Sequence, residues 1–120
     1  MSQNHAATIE AYYTALAGKN VSALEKYLHP NVQFLGPFGR ATGKEAVLGA
    51  TTHFANLFKS LKIRTTFSSE DQAMIVYDVD FPEPVGLIRT AALMTFPGEI
   101  ITKIEVFFDA RPFEKMQTVK

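Results

Sequence analysis

Ala73-Met74-Ile75-Val76-Tyr77-Asp78-Val79-Asp80-Phe81 reads as a β-strand with two unequal faces. Ile75, Tyr77, Val79 and Phe81 fall on one side, and Met74, Val76, Asp78 and Asp80 on the other, because successive strand side chains point to opposite faces. Hydrophobicity turns the aromatic set inward and both aspartates toward solvent. The opposite assignment puts Asp78 in the interior as a proton acceptor whose pKa burial would raise. A slip of one residue exchanges the two faces, so this stretch decides what lines the interior. Glu70-Asp71 and Pro82 bound it.

Strands are expected on both sides of it. Residues 62–68 are polar and β-rich, and residues 87–96 and 100–109 meet at Pro97-Gly98, a hairpin signal. Short connections between consecutive strands predict antiparallel pairing. In residues 87–96, Leu87, Ala91 and Leu93 alternate with Ile88, Ala92 and Met94. A strand apolar on both sides needs cover on both sides, which predicts a homodimer through the outer sheet face. Arg89 is expected to pair with an aspartate on the adjacent strand. Lys103 and Glu105, flanking Ile104, read as a solvated pair, and Asp109 as structural.

Upstream the period changes from two to nearly four. Ile9, Tyr12 or Tyr13, and Leu16 share one face of a helix over residues 3–17, with Gly18 placed for a left-handed cap. Ser22 and Glu25 have capping-box spacing and open a short helix with Leu24, Tyr27 and Leu28 on one face; Pro30 ends it. Val32 and Phe34 suggest a short strand, followed by a turn at Gly36-Pro37-Phe38-Gly39. Thr42 and Glu45 form a second capping box for a helix to about Ser60, with Val47, Ala50, Phe54, Leu57 and Leu61 on one face. Gly49, Thr51 and Thr52 are poor helix formers, so packing must hold that helix. Helices first and strands afterwards predict one α+β domain over residues 1–120, with three N-terminal helices on a curved antiparallel sheet.

Composition excludes several functions. The chain has 120 residues, 47% hydrophobic, enough to bury a core without metal or disulfide staples. Twelve basic and twelve acidic residues give zero net charge and no cationic cluster, arguing against nucleic-acid and membrane-surface partners. There is no cysteine, which removes thiol chemistry and fits a reducing, cytoplasmic setting. Met-Ser-Gln-Asn-His does not begin a signal peptide, and no apolar run approaches the ~20 residues of a membrane span. Ten phenylalanines fit a protein that covers apolar surface by self-association. No glycine-rich phosphate loop is present and His5, His29 and His53 lack metal-ligand spacing, so neither cofactor nor metal is expected.

The order helix, helix, short strand, helix, then four long strands resembles the nuclear transport factor 2-like superfamily, which includes ketosteroid isomerases and SnoaL-like polyketide cyclases. Ile9-Glu10-Ala11-Tyr12-Tyr13-Thr14-Ala15-Leu16 is similar to that family's first helix, Leu28-His29-Pro30-Asn31-Val32 to its entry into the first strand, Thr42-Gly43-Lys44-Glu45-Ala46-Val47 to the start of its third helix, and Gly98-Glu99-Ile100-Ile101 through Phe108-Asp109 to its closing strand. The resemblance implies a cone of helices and sheet whose interior binds small organic molecules, and a dimer through the convex sheet face. It places the catalytic tyrosine of ketosteroid isomerase on Tyr12, its aspartate base on Gly36, its protonated acid on Ala92 and the supporting tyrosine on Thr51. In ketosteroid isomerases that acid is a carboxyl group kept neutral by its apolar surroundings. Glycine and alanine transfer no proton, so the aspartate-base mechanism is absent here.

Three residues remain as candidate catalytic groups: Tyr12 as a hydrogen-bond donor to a carbonyl or enolate, His53 as a base at the cavity mouth, and Asp78 if its strand face points inward. Each also has a structural reading, respectively a packed core ring, a boundary histidine and a solvated aspartate. Phe34, Phe38, Met94, Phe96, Ile104 and Phe108 are the expected ligand-binding lining, with Val106 beside them. Small residues at Ala50, Thr51 and Ala92 leave volume that a filled core would not. Two functions follow. One is cofactor-independent proton transfer on a small apolar carbonyl compound: isomerisation, cyclisation or dehydration. The other is a non-catalytic ligand carrier or dimerisation module.

Overall fold

The computed structural model describes residues 5–114. Helix α1 (His5–Ala17) is followed by a 3-10 helix (Val21–Tyr27), then β1 (Leu28–Gly36), β2 (Gly39–Thr42), α2 (Lys44–Ala55), β3 (Ser60–Ser69), β4 (Gln72–Asp80), β5 (Leu87–Thr95), β6 (Ile101–Phe108) and a 3-10 turn (Arg111–Phe113). The strands form one curved, unclosed sheet in the order β2-β1-β6-β5-β4-β3. The α+β expectation holds, with helices on the concave face. Among the described residues no helix is long and apolar enough to cross a membrane.

The sheet is mixed rather than wholly antiparallel. β6 returns between β1 and β5 and runs parallel to β1, pairing Phe34 with Ile104, while the other neighbouring pairs are antiparallel. Short connections constrain consecutive strands and leave the β1–β6 pair unspecified. Register shifts between Ile63 and Thr65 in β3, and between Leu28 and Gln33 in β1, interrupt the ladders. Such irregularities bend strands and add twist, which helps the sheet wrap around the helices.

β4 places its aromatic set inward. Ile75, Tyr77, Val79 and Phe81 are buried, while Asp78 and Asp80 lie on the outer face. Ile9, Tyr12, Tyr13 and Leu16 of α1 are buried against this surface. Full burial of side chains such as Ile9, Leu24 and Ile75 contributes about 1.5–3 kcal/mol each. On the outer face Phe67, Leu87 and Phe107 remain 61%, 61% and 51% exposed.

Local details correct several helix-end expectations. The left-handed residue after α1 is Lys19, at φ 62°, rather than Gly18. Its ammonium donates to the Phe58 carbonyl and sits 4.5 Å from the centre of that ring, which ties the turn to the start of β3. Neither capping box forms. Ser22 Oγ donates to Asn20 Oδ1 at 3.1 Å, and the short segment adopts the tighter 3-10 pattern. Thr42 is held in β2 opposite Gln33, so α2 is opened by Gly43 at φ 98° without a side-chain cap. α2 ends at Ala55 because the chain must cross to β3, where the Lys59 N–H donates to the Asp80 carbonyl at 2.6 Å. Pro97-Gly98 lies in a wider β5–β6 connection tied to its neighbours: the Phe96 N–H donates to the Asp71 carbonyl, and the Gly98 carbonyl contacts the His5 ring.

Candidate functional site

Between the helices and the inner sheet face lies a cavity of about 390 Å³. That falls within the ~300–1,000 Å³ typical of small-molecule sites. α1 contributes Tyr12, Tyr13 and Leu16, and α2 contributes Ala50, Thr51, His53, Phe54 and Leu57. The sheet contributes Tyr77, Val79, Ile88, Thr90, Ile104, Val106 and Phe108. Phe34, Gly36, the Pro37-Phe38 tip of the β1–β2 hairpin, Phe81 and Phe113 also belong to the lining.

The mouth is a collar of phenylalanines. The Phe113 ring centre lies 5.1 Å from that of Phe38, 5.0 Å from Phe81 and 5.6 Å from Phe108, each in an edge-to-face arrangement. This geometry aligns the positive edge of one ring with the negative face of another. Phe113 was not anticipated from the sequence. Its signal is the turn before it. Asp109 Oδ1 accepts from the Arg111 N–H at 3.0 Å, while the Arg111 guanidinium grips the same carboxylate at 2.7 Å. The guanidinium holds the Asp109 carboxyl at a pKa of about 2. An aspartate that bonds the backbone two residues on is a turn former, and this turn directs the chain back across the opening.

The floor is made of hydroxyls. Tyr12 and Tyr13 are neighbours in α1 with ring centres 5.3 Å apart, and Tyr13 lies 4.7 Å from Tyr77. Tyr27 meets the far side of Tyr12 at 6.0 Å, so all four tyrosines of the chain belong to one cluster. Thr51, beside them on the wall, donates its hydroxyl proton to the Val47 carbonyl at 2.8 Å. Burial raises the pKa of Tyr12, Tyr13 and Tyr77 well above that of free tyrosine, and neighbouring phenols reinforce the shift. These three are therefore neutral hydrogen-bond donors throughout the ordinary pH range. No carboxylate stands among the lining residues.

The candidate catalytic residues separate. Tyr12 and His53 line the cavity, Tyr12 buried at its floor and His53 exposed in the last turn of α2. Asp78 does not. Cross-strand register sets it opposite Arg89 on the outer face, where Arg89 Nε donates to Oδ1 at 2.8 Å and Arg64 Nη1 reaches Oδ2 at 3.4 Å. The hydrogen bond from Arg89 lowers its pKa, the reverse of what an interior base would show. Of the expected lining, Phe34, Phe38, Ile104 and Phe108 are on the wall. Met94 and Phe96 are buried but lie off it, at the filled end under the start of α1, where Phe96 stacks on His5 with ring centres 4.3 Å apart. Correct inward alternation placed them on the right face but said nothing of distance along the strand. Gly36 is on the wall, and Ala92 is fully buried away from it. His5 and His29 are bound elsewhere, to backbone groups. Among the described residues no three His, Asp or Glu side chains are grouped to hold a metal.

A family model described as a SnoaL-like domain matches residues 9–104. The chain is similar to a protein of known crystal structure from Kribbella flavida DSM 17836, with 24% identity over 94% of this chain and 93% of that one and a TM-score of 0.86. It is also similar to an NTF2-like protein from Cytophaga hutchinsonii ATCC 33406, with 25% identity, coverage of 88% and 90%, and a TM-score of 0.76. A steroid delta-isomerase from Pseudomonas aeruginosa shares the fold at 18% identity, with coverage of 98% and 91% and a TM-score of 0.79. No curated protein matches the chain.

Proposed function

The chain belongs to the SnoaL-like domain family, and from that premise we propose that its cavity binds a small, largely apolar carbonyl compound and catalyses cofactor-independent proton transfer on it. The observation that carries this reading is the pairing of neutral phenol donors at the floor with a histidine at the mouth of one apolar cavity. A carbonyl oxygen directed to the floor meets donors that remain protonated. When a proton leaves the adjacent carbon, the electron pair of the broken C–H bond moves onto that oxygen, and the donors stabilise the enolate. His53 is the wall residue of a type that exchanges protons near neutral pH. It takes the proton and returns it, to the same carbon or to another, which gives exchange or isomerisation.

The absence of any carboxylate from the wall favours a second reading, a carrier that binds the same class of molecule without turning it over. Deuterium uptake next to the carbonyl of 2-acetylnaphthalene, followed by NMR, separates the two. The catalytic reading expects uptake above the buffer rate and a fall of about 100-fold or more in His53→Gln. Saturable binding with uptake at the buffer rate identifies the carrier. Absence of binding removes both readings.

A further inference from the structure

His5 is 4% exposed, and both of its ring nitrogens face carbonyl oxygens. Nδ1 lies 3.0 Å from the Glu70 carbonyl, in the turn between β3 and β4, and Nε2 lies 3.0 Å from the Gly98 carbonyl, between β5 and β6. A carbonyl oxygen only accepts. A neutral imidazole has one N–H to donate and a lone pair on its other nitrogen, whereas the imidazolium donates from both. A neutral ring therefore satisfies one of these carbonyls and turns a lone pair toward the other. The charged ring satisfies both. Its face also stacks on Phe96, with ring centres 4.3 Å apart, where a cation meets the negative face of the phenyl ring. Burial opposes the charge, as does a place in the first turn of a helix. Two charge-assisted hydrogen bonds favour it. So does the local field. The charged residues of the segments packed on the ring are Glu10 in α1, Glu70 and Asp71 in the turn and Glu99 in the connection, all exposed and all acidic. Tyr12 and Tyr13, further along the helix, are neutral.

We propose that His5 is a proton-controlled clasp: as an imidazolium it fastens the start of α1 to both the β3–β4 turn and the β5–β6 connection, and on losing its proton it releases one of them. The two carbonyls come from segments 65 and 93 residues away in sequence, so the ring cross-links distant parts of the chain. The Phe96 N–H donates to the Asp71 carbonyl at 2.6 Å and ties the turn to the connection at the same place. The clasp lies at the filled end of the interior and is independent of what the cavity binds. In this arrangement the folded chain holds a proton that an unfolded histidine gives up near neutral pH. The stabilisation is thus fully present in mild acid, where the unfolded ring is charged too. It is lost as pH rises until the folded ring also gives up its proton.

The test compares wild-type protein with His5→Phe, which keeps a ring against Phe96 and has no nitrogen to protonate. Urea unfolding gives the folding equilibrium constant of each, and titrations common to both chains cancel in their ratio. That ratio, wild type over variant, is expected to fall by about tenfold or more between about pH 5.5 and about pH 8.5, the worth of a hydrogen bond to a charged group. A ratio that stays constant or rises over this range overturns the clasp. Nitrogen-15 NMR of the wild-type imidazole needs no variant. At about pH 7.5, where a free histidine is mostly neutral, both His5 nitrogens should carry a proton. Nitrogen shifts of a neutral tautomer at that pH overturn the clasp as well.

Discussion

At one end of the space between helices and sheet, His5 stacks on Phe96 with ring planes 9° apart, and Met94, Ile101 and Val32 are buried to within 1% of completeness. At the other end, Phe34, Phe54, Phe108 and Phe113 lean around an opening, and Leu57 is 40% exposed. The same strands serve both ends, with the same inward alternation. What differs is the opposing surface. The filled end receives the first turns of α1 and the β5–β6 connection, whereas the open end faces Ala50, Thr51 and Gly36, which are too small to reach across. A binding cavity in this fold therefore arises where small residues face large ones, on a sheet face that is apolar throughout.

The largest effect expected from that contrast is on stability. Met94→Ala at the filled end should lose about 2–5 kcal/mol, because transfer and cavity costs add. Leu57→Ala at the open end should lose about 1 kcal/mol or less, since its side chain already meets solvent. Urea unfolding of both variants checks this, and equal losses would break the contrast. Next comes ligand affinity. Ala50→Trp should fill the open end, leave the melting temperature unchanged or higher, and weaken binding of 2-acetylnaphthalene by about tenfold or more, equivalent to about 1.4 kcal/mol. Retained binding would place the ligand outside this cavity.

The contrast can be sharpened on the outer face of the same strands. A homodimer is expected there, with Phe67, Leu93 and Phe107 in the interface and the cavity unaffected. Phe107→Glu should shift sedimentation toward monomer without changing probe affinity; a wild-type protein that stays monomeric at all micromolar concentrations removes the expectation. The smallest effect belongs to Asp78→Asn. The Arg89 side chain is 59% exposed, so solvent screens its ion pair with Asp78 and the pair should contribute little to stability. The Asp78 pKa is lowered in the folded state. The stabilisation is thus fully present above the ordinary aspartate range and is lost as pH falls below it. Denaturant melts of wild type and variant should converge in acid, with deuterium exchange on the ketone unchanged by the substitution.

The sequence by itself determined the α+β class, most of the elements and the inward faces of β4, β5 and β6. Alternation in Ile75, Tyr77, Val79 and Phe81 and helical spacing in Ile9, Tyr12 and Leu16 are local, and burial follows from local amphipathicity. It also put Tyr12, His53, Phe34, Phe38, Ile104 and Phe108 near a common interior, and Arg89 beside an aspartate. Only the tertiary structure decided which buried residues border a void. Met94 and Thr90 share a strand face, yet one is packed and the other lines the cavity, because the difference is set by helices far away in the chain. The parallel β1–β6 pair, the contact of the Tyr13 and Tyr77 rings and the return of Phe113 onto Phe38 are likewise contacts between distant segments. No periodicity within one segment encodes such distances, since they depend on where the rest of the chain comes to lie.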